Sequence, residues 1–344
     1  MTQTSAPAAP PSGDPKRAAP RRRIWLRVLI VVASLLVVLL GAGAIYLSAI
    51  DRSIIQNINR GVDLPSDEPS AAPGDARPTK EPQETGTLNY VLLGSDSRDP
   101  DNAGSGRSDT MMLVHLNAKR NKAYIISLPR DMYVDIPGHG RNKINAAYAF
   151  GGVPLTVRTM EKLTGTRMDH VALVDFEGFI SLTDDLKGVT VINKNAFSSH
   201  DFDYPAGKIT VRGEQALWYV RERKQLPRGD LDRAENQRSV IKAIVAKGLS
   251  AQVISDPARF TRFIGNVAKH LTVDNSLTDE EIRRTAFSLR MQGDDIELLQ
   301  APISGDATVG GQSILVVDEA KLAELSKALK TDKMAGYVKK YPQG

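Results

Sequence analysis

The sequence predicts an α/β domain with a mixed central β-sheet flanked by helices on both faces, preceded by one transmembrane helix. Short apolar runs of strand length alternate with longer stretches of helical periodicity from residue 87 onwards, which predicts the layered domain. Aspartate and arginine residues recur where the apolar runs end, as at the binding edge of an open sheet. An uncharged apolar run over residues 28–50 predicts the membrane helix.

The sequence of the N-terminal region is typical of a membrane anchor. Residues 1–27 are rich in Pro, Ala and Arg, hold the whole formal charge excess of +5, and predict a disordered cytoplasmic tail. Basic residues before an apolar span keep that side in the cytoplasm, so the remainder is expected outside a single-pass cell membrane protein. A cleaved signal peptide is the alternative, but its apolar region is typically only about 7–15 residues long. A signal-anchor is therefore predicted.

Composition divides the remaining chain. The proline-rich residues 51–86 predict an extracytoplasmic linker, residues 87–335 a globular domain, and residues 336–344 a C-terminal tail. Beyond the N-terminal tail the chain is formally neutral, which argues against a nucleic-acid partner. The absence of cysteine excludes disulfides, thiolate metal sites and a cysteine nucleophile.

The elements follow from periodicity. The first strands are close enough in sequence to pair antiparallel, which predicts a mixed sheet. Strands are predicted at residues 88–93, 110–116, 123–128, 171–174 and 189–192. Helices are predicted at residues 155–163, 176–186, 231–249, 256–270, 278–290 and 318–330.

Common catalytic strings are missing, and arginine and aspartate stand out instead. There is no G-x-x-x-x-G-K-[ST], G-x-S-x-G or H-E-x-x-H motif. Arg221 and Arg223 would share one side of an extended segment, and Arg233 and Gln237 one face of a helix. The other candidates near strand ends are Asp96, Arg98, Arg107, Asp109, Arg130, Lys143 and Asp230.

Converging arginines with two carboxylates suit a pyrophosphate. Guanidinium groups bind phosphate oxygens through paired hydrogen bonds, and Mg²⁺ binds through one or two carboxylates together with substrate phosphates. The alternative for any single residue is a solvated charge or a surface ion pair. Asp230 or Asp232 would also serve as a cap for the helix that starts near Leu231. The residues alone predict an exported, phosphate-binding α/β domain.

The motifs in order resemble the LytR-CpsA-Psr family of cell-envelope enzymes. They are GSDSR, GRSDTMML, SLPRDMYVDIPG, KINAAYAFGG, DHVALVDFEGF and ALWYVRER followed by GDLDRAENQ. The resemblance implies that Asp96 and Asp109 bind Mg²⁺, with Mn²⁺ as an alternative. It implies pyrophosphate contacts from Arg107, Arg130, Arg221 and Arg223. It adds Lys143, Asp230, Arg233, Gln237 and, as a weaker match, Arg98 as further residues of the site.

The family also implies a reaction. A glycopolymer would pass from a polyprenyl-pyrophosphate carrier, whose tail lies in a long apolar pocket, to the muramic acid hydroxyl of peptidoglycan, releasing polyprenyl phosphate. The alternatives are a polyprenyl-pyrophosphate hydrolase, a non-enzymatic envelope regulator and a wall-binding module. The sequence departs from the family at Asn236 and Arg238, where R-A-E-R-Q-Q is often found, and at Lys187-Gly188, where a Gly-Gly pair is common.

Overall fold

The computed structural model describes residues 58–67, 76–80, 86–95, 108–248, 250–254 and 256–342. The predicted cytoplasmic tail and membrane helix lie outside these residues. Within the described ranges, no helix combines the length and the apolar character needed to cross a membrane.

The β-strands are numbered along the chain. They are β1 (Asn59–Val62), β2 (Leu88–Ser95), β3 (Ser108–Leu116), β4 (Ala123–Ser127), β5 (Tyr133–Ile136), β6 (Gly140–Lys143), β7 (His170–Val174), β8 (Val189–Asn193), β9 (Phe197–Ser199), β10 (Phe202–Tyr204), β11 (Gly207–Val211), β12 (Leu271–Asp274), β13 (Ile296–Gln300), β14 (Ile303–Val309) and β15 (Gln312–Val317).

The helices are numbered in the same way. They are α1 (Ala146–Thr164), α2 (Phe176–Asp185), α3 (Gly213–Arg221), α4 (Asp230–Gly248), α5 (Ala251–Ile254), α6 (Pro257–Lys269), α7 (Asp279–Ser288), α8 (Glu319–Lys330) and α9 (Met334–Lys340).

The central sheet is mixed, as predicted. In the described part of the chain its strand order is β1-β12-β7-β2-β3-β4-β13. Strand β2 pairs antiparallel with β3 and parallel with β7, while β4 pairs parallel with β13. The remaining strands form two-stranded pairs, β5 with β6, β8 with β11, β9 with β10 and β14 with β15.

Both faces of the sheet are covered. Along β3, Met111 and Leu113 pack into a core that includes Val157 and Met160 of α1, whereas Met112 between them packs into a core with Ile241 of α4. Successive side chains of a strand point to opposite faces, so this alternation requires a helix layer on each side. The predicted layering is confirmed.

Helix α1 is interrupted near its start. Gly151 and Gly152 have non-helical backbone angles, and Gly152 has φ of 59°, a conformation that side chains with a Cβ rarely adopt. Pro154 follows two residues later, where a missing N–H is tolerated at the first turn of the continuing helix. The helix predicted at residues 155–163 is therefore the second, longer part of α1.

The folded domain begins earlier than residue 87. Strand β1 pairs in parallel with β12 at one edge of the central sheet. The Arg77 side chain is buried, forms an ion pair with Glu161 of α1 at 2.8 Å and donates to the Met168 carbonyl. Residues 59–62 and 77, assigned to the linker from composition, therefore belong to the domain. The proline-rich and polar composition of this segment gave no sequence signal for strand β1 or for the buried Arg77.

Breaking the Arg77 contact is expected to destabilise the domain. The Arg77→Ala variant should lose roughly 3 kcal/mol of unfolding free energy, because a buried Glu161 is left without its cationic partner. Urea denaturation of the full chain in detergent measures this loss. The matched control is Arg284→Ala, whose pair with Glu280 is exposed and should contribute well under about 1 kcal/mol. Equal losses in the two variants would contradict the anchoring role.

The C-terminal boundary also moves. Helix α9 covers most of the predicted tail, and its Tyr337 packs into the main core at 7% exposure. The prediction that residues 336–344 form a separate tail was therefore wrong for the residues of α9.

Lys187 occupies a backbone position that suits glycine. It has φ of 56° in the turn between α2 and β8, and Gly188 after it has φ of 83°. A glycine at residue 187, as in the Gly-Gly pair that the family resemblance implies, would suit this turn, because a Cβ in the left-handed region costs roughly 1–2 kcal/mol.

Replacing Lys187 with glycine is expected to stabilise the protein. The gain should be about 0.5–1 kcal/mol, since relief of the left-handed strain exceeds the greater chain entropy of glycine. Lys187→Ala removes the same charge but keeps the Cβ, and should give no gain. A Lys187→Ala variant as stable as Lys187→Gly in thermal denaturation would show that charge, not backbone strain, is responsible.

Candidate active site

A cavity of about 390 Å³ lies between the central sheet and helices α2, α3, α4 and α6. Its volume falls within the roughly 300–1,000 Å³ range of sites that bind small molecules. Its apolar lining consists of Leu92, Leu93, Val174, Phe176, Phe179, Leu182, Leu217, Val220, Ile241, Ile244, Val245, Val267 and Leu271. We call this space the first cavity.

Cationic side chains mark the opening of the first cavity. Arg221 and Arg223 line it and are exposed to solvent, whereas Ile244 lines it at 8% exposure. Arg130 and Arg233 also contribute to the lining. A ligand in this cavity would therefore meet guanidinium groups at one end and hydrocarbon at the other.

One face of α4 carries polar residues first and apolar residues after them. Arg233, Gln237, Ile241 and Val245 are spaced four residues apart, so they share one face of the helix, and all four line the first cavity. At 1.5 Å rise per residue, Arg233 and Val245 are about 18 Å apart along the helix axis. The polar pair lies near the helix N-terminus, the end that favours anions. This face fits a long ligand with an anionic head and an apolar tail.

Ion pairs hold the polar end in place. Asp230 lies 2.6 Å from Arg233 and 3.4 Å from Arg130. Asp131 lies 3.8 Å from Arg130 and 2.8 Å from Lys143. Burial raises the pKa of the Asp230 carboxyl, and Asp131 adds to this, while Arg233 and Arg130 act against it. Lys143 and Asp230 are thus connected to the cavity lining through Arg130.

Aromatic rings position Arg221. Its guanidinium lies 4.6 Å from the ring centre of Phe176 and 5.1 Å from that of Trp218, distances at which cation–π attraction operates. Gln237 donates to the Val220 carbonyl at 3.2 Å, which joins α4 to the end of α3. The two rings restrict the Arg221 side chain and fix where its charge is presented, while the Gln237 hydrogen bond holds the end of α3 against α4.

The cluster is strongly cationic. The four cavity arginines outnumber the carboxylates of Asp230 and of Asp175, which also lines the cavity, while Lys143 and Asp131 pair with each other. The excess of positive charge, in a planar forked geometry, matches a ligand with several phosphate oxygens.

Comparison with known proteins identifies the family. The sequence profile of the LytR_cpsA_psr family matches residues 57–331, most of the chain and all of the site described above. The chain belongs to this family. The match begins at residue 57, just before β1, in agreement with the earlier domain start.

Characterised relatives of the family are similar over nearly their whole length. The polyisoprenyl-teichoic acid–peptidoglycan teichoic acid transferase TagU of Bacillus licheniformis is 32% identical over 313 residues, which cover 90% of this chain and 96% of TagU. The crystal structure of Bacillus subtilis TagV is 26% identical with a TM-score of 0.62, over 72% of this chain and 97% of TagV. TagT bound to LIIa-WTA is 30% identical with a TM-score of 0.59, over 80% and 100%.

The structure brings most of the described sequence candidates together. Arg130, Arg221, Arg223, Arg233 and Gln237 line the first cavity, and Lys143 and Asp230 connect to it through ion pairs. The geometry shows that these residues converge on one cavity. Their roles in catalysis stay predictions.

The remaining candidates surround the β2–β3 hairpin. Asp96, Arg98 and Arg107 lie outside the described residues. The backbone of Asp109 lies in β3, next to Thr110, which pairs with Gly94 and lines the cavity with it. Among the residues whose side chains are described, no three His, Cys, Asp or Glu side chains form a metal-binding group.

One geometric prediction was wrong. Arg221 is the last residue of α3, and the extended backbone begins only with Glu222 after it, so Arg221 and Arg223 do not share an extended segment. They still line one cavity because the chain turns after Glu222, whose carboxylate accepts hydrogen bonds from the next three backbone N–H groups.

The two α4 residues that depart from the family pattern, Asn236 and Arg238, make their contacts outside the first cavity. Asn236 accepts a hydrogen bond from the Tyr219 hydroxyl, and Arg238 donates to Ser127 in the protein interior. Burial lowers the pKa of Arg238 to about 10. Neither side chain lines the cavity, so Arg233 and Gln237 carry the α4 contribution to it.

Sequence reasoning assigned no role to the residues that support the arginines. Phe176 and Trp218 flank Arg221, and Asp131 joins Lys143 to Arg130. Asp131 adjoins Arg130 in the SLPRD motif, so its proximity was a usable signal. The aromatic partners have no such signal, because apolar rings next to strand ends usually belong to the core.

Proposed function

We propose that this chain transfers a glycopolymer from a polyprenyl-pyrophosphate carrier to the muramic acid hydroxyl of peptidoglycan, releasing polyprenyl phosphate. The arginines at the opening of the first cavity bind the pyrophosphate, and the prenyl tail occupies its apolar part.

The α4 face carries this proposal. Arg233 and Gln237 precede Ile241 and Val245 on a single helix face, and all line one cavity. Beyond Gln237 this face continues for about 12 Å to Val245, an apolar length that a soluble nucleotide would not need beyond its phosphates. A lipid pyrophosphate needs both parts, and hydrocarbon burial at about 0.8 kcal/mol per CH₂ provides affinity for the tail.

The relatives support the same reaction. TagU of Bacillus licheniformis is named for transfer of teichoic acid from a polyisoprenyl carrier to peptidoglycan. TagT has been solved with LI-WTA as well as with LIIa-WTA. The similarity to TagU covers 90% of this chain and 96% of TagU, so this chain contains the whole of the corresponding domain.

The proposed step is a phosphoryl transfer. The acceptor hydroxyl oxygen attacks the sugar-side phosphorus and forms a phosphodiester, while the bridging oxygen leaves with the polyprenyl phosphate. The hydroxyl proton ends on the released phosphate, so atoms and charge balance. Positioning and charge stabilisation dominate such reactions, and Arg130, Arg221, Arg223 and Arg233 provide both around the phosphate oxygens.

We further propose that Asp96 and Asp109 hold Mg²⁺, or Mn²⁺ in its place. Gly94 and Thr110 pair across β2 and β3 and line the first cavity, and Asp96 and Asp109 lie within two residues of them in sequence. Two carboxylates with substrate phosphates are the usual donor set for Mg²⁺. When bound, the ion supplies charge neutralisation on the pyrophosphate oxygens.

The proposed topology follows from the N-terminal sequence. An uncharged span at residues 28–50 after basic residues supports a single-pass membrane protein with a cytoplasmic N-terminus and an extracytoplasmic catalytic domain. Because the chain has no cysteine, an introduced Ser304→Cys in the exposed strand β14 gives one labelling site. A membrane-impermeant maleimide should label it in intact cells, and labelling only after lysis would contradict this topology.

A product assay tests the reaction. The full chain in detergent is mixed with Mg²⁺, peptidoglycan fragments and polyprenyl-pyrophosphate-linked glycans of several types, and products are identified by mass spectrometry. A phosphodiester on muramic acid that disappears in Asp109→Ala is the expected result. Free glycan phosphate as the sole product would establish the hydrolase instead. Lipid binding without turnover of any glycan would support a regulator or a wall-binding module.

A further inference from the structure

A second cavity of about 320 Å³ adjoins the first, and Arg130 lines both. It lies among the end of β6, the first turn of α1 and the start of β15. We call it the second cavity. The apolar residues that line the first cavity do not line it, so it suits a different part of the reacting molecules.

The second cavity is rich in amide groups. Asn142, Asn145 and Gln312 line it together with Lys143 and Asp131, which pair at 2.8 Å. Amide side chains offer donors and acceptors at once, the combination that hydroxyl and acetamido groups of a sugar require. Lys143 and Asp131 compensate each other within the cavity, and Arg130 is paired with Asp230 at 3.4 Å, so the cavity favours a neutral polar ligand over a second phosphate.

An exposed aromatic pair lies on the same elements. Phe150 follows Ala149, which lines the second cavity, and its side chain is 47% exposed. Its ring stacks on that of His139, from the turn before β6, with centroids 4.6 Å apart. The interruption of α1 at Gly151 ends the helix directly after Phe150. Phe150 does not itself line the second cavity, but an exposed aromatic ring one residue from its lining offers packing area to a saccharide that extends beyond the cavity.

The geometry of an in-line displacement favours the acceptor as the occupant of the second cavity. The attacking oxygen approaches the phosphorus opposite the leaving oxygen. Under the proposed function the leaving polyprenyl phosphate has its tail in the first cavity. A space on another side of Arg130 is therefore available to the attacking molecule.

We propose that the second cavity binds a saccharide ring of the acceptor glycan and presents its hydroxyl to the phosphorus beside Arg130. This inference rests on the proposed function and adds to it a location for the acceptor. It predicts that changes in the cavity alter use of the acceptor and leave use of the lipid donor intact.

A filling variant and a matched control test the location. Ala149 is exposed, so Ala149→Trp can obstruct the second cavity without disturbing the core, and Ala149→Ser keeps it open. Gln312→Ala removes one amide, and Gln252→Ala removes an exposed amide on α5 that does not line the cavity. Thermal denaturation of each full-length variant confirms folding.

The readouts separate acceptor from donor. With lysozyme-released peptidoglycan fragments as acceptor, Ala149→Trp and Gln312→Ala should raise the acceptor KM about tenfold or more, equivalent to one lost polar contact. The donor KM and the slow release of glycan phosphate to water without acceptor should match those of the wild type. Ala149→Ser and Gln252→Ala should leave every parameter unchanged.

Three results would overturn the assignment. An unchanged acceptor KM in both cavity variants removes the acceptor from this space. A raised donor KM assigns the cavity to the first sugar of the donor polymer. A wild-type protein that neither transfers nor releases the glycan refutes the proposed function itself, which distinguishes that failure from a misplaced acceptor.

Discussion

Replacing Arg223 with alanine is expected to lower polymer transfer by at least about 10³-fold, because arginine charge in phosphoryl-transfer sites contributes on the order of 10³–10⁵ in rate. Arg223 lines the opening of the first cavity and is exposed to solvent. Its backbone N–H, not its side chain, makes the hydrogen bond to Glu222 that forms the turn. The variant should therefore fold with a stability within about 0.5 kcal/mol of the wild type.

The neighbouring residue provides the control. Lys224 carries the same charge, makes the same kind of backbone contact to Glu222 and does not line the first cavity. Lys224→Ala should retain transfer within a factor of about two. Single-turnover rates with a saturating donor compare the two variants. An Arg223→Ala protein that folds and retains near-wild-type transfer would remove Arg223 from the phosphate site.

Narrowing the apolar part of the first cavity should discriminate between lipid lengths. In the Ile241→Trp variant the indole ring occupies part of the apolar space of the first cavity beyond Gln237 on the α4 face. Excluding one isoprene unit of five carbons costs about 4 kcal/mol at 0.8 kcal/mol per CH₂, or roughly 10³-fold in affinity. The KM for a long-chain donor should rise by about that factor, while a donor with a tail too short to reach Ile241 should be used normally.

Two comparisons make this result specific. Ile241→Val removes one methylene without filling the cavity and should change the KM for both donors by less than about tenfold. Thermal denaturation shows whether the tryptophan is accommodated in the cavity or forced into the core. Equal KM increases for long and short donors would contradict placement of the tail along α4.

The predictable part of the fold was the part with long, regular periodicity. Helix α4 was expected at residues 231–249 and covers Asp230–Gly248, and the strands with alternating or continuous apolar runs lie where expected. Short strands such as β9 and β10 contain three residues each, too few for a periodic pattern to emerge. Strand β1 carries Asn59 and Arg60 at a sheet edge, where solvent exposure removes the apolar signal.

The site was predictable from polar residues and not from apolar ones. Arg221 and Arg233 were identifiable because they belong to a set of arginines and aspartates whose motifs occur in the order of the family, although each charge alone could have been a solvated one. Ile241 and Val245 could not be assigned to a lipid cavity, since their helical spacing is the same as that of core residues packed on a sheet. The distinction between core and cavity exists only in the packing around them.

An isotope partition in H₂¹⁸O tests most directly whether the chain is a transferase. The full-length protein is given the lipid-linked glycan, saturating peptidoglycan fragments and Mg²⁺ in labelled water, and the oxygen content of each phosphate product is measured by mass spectrometry. Transfer predicts a muramic acid phosphodiester without ¹⁸O as the main product. A glycan phosphate carrying one ¹⁸O as the main product, with acceptor saturating, would contradict the transferase and identify the chain as a hydrolase.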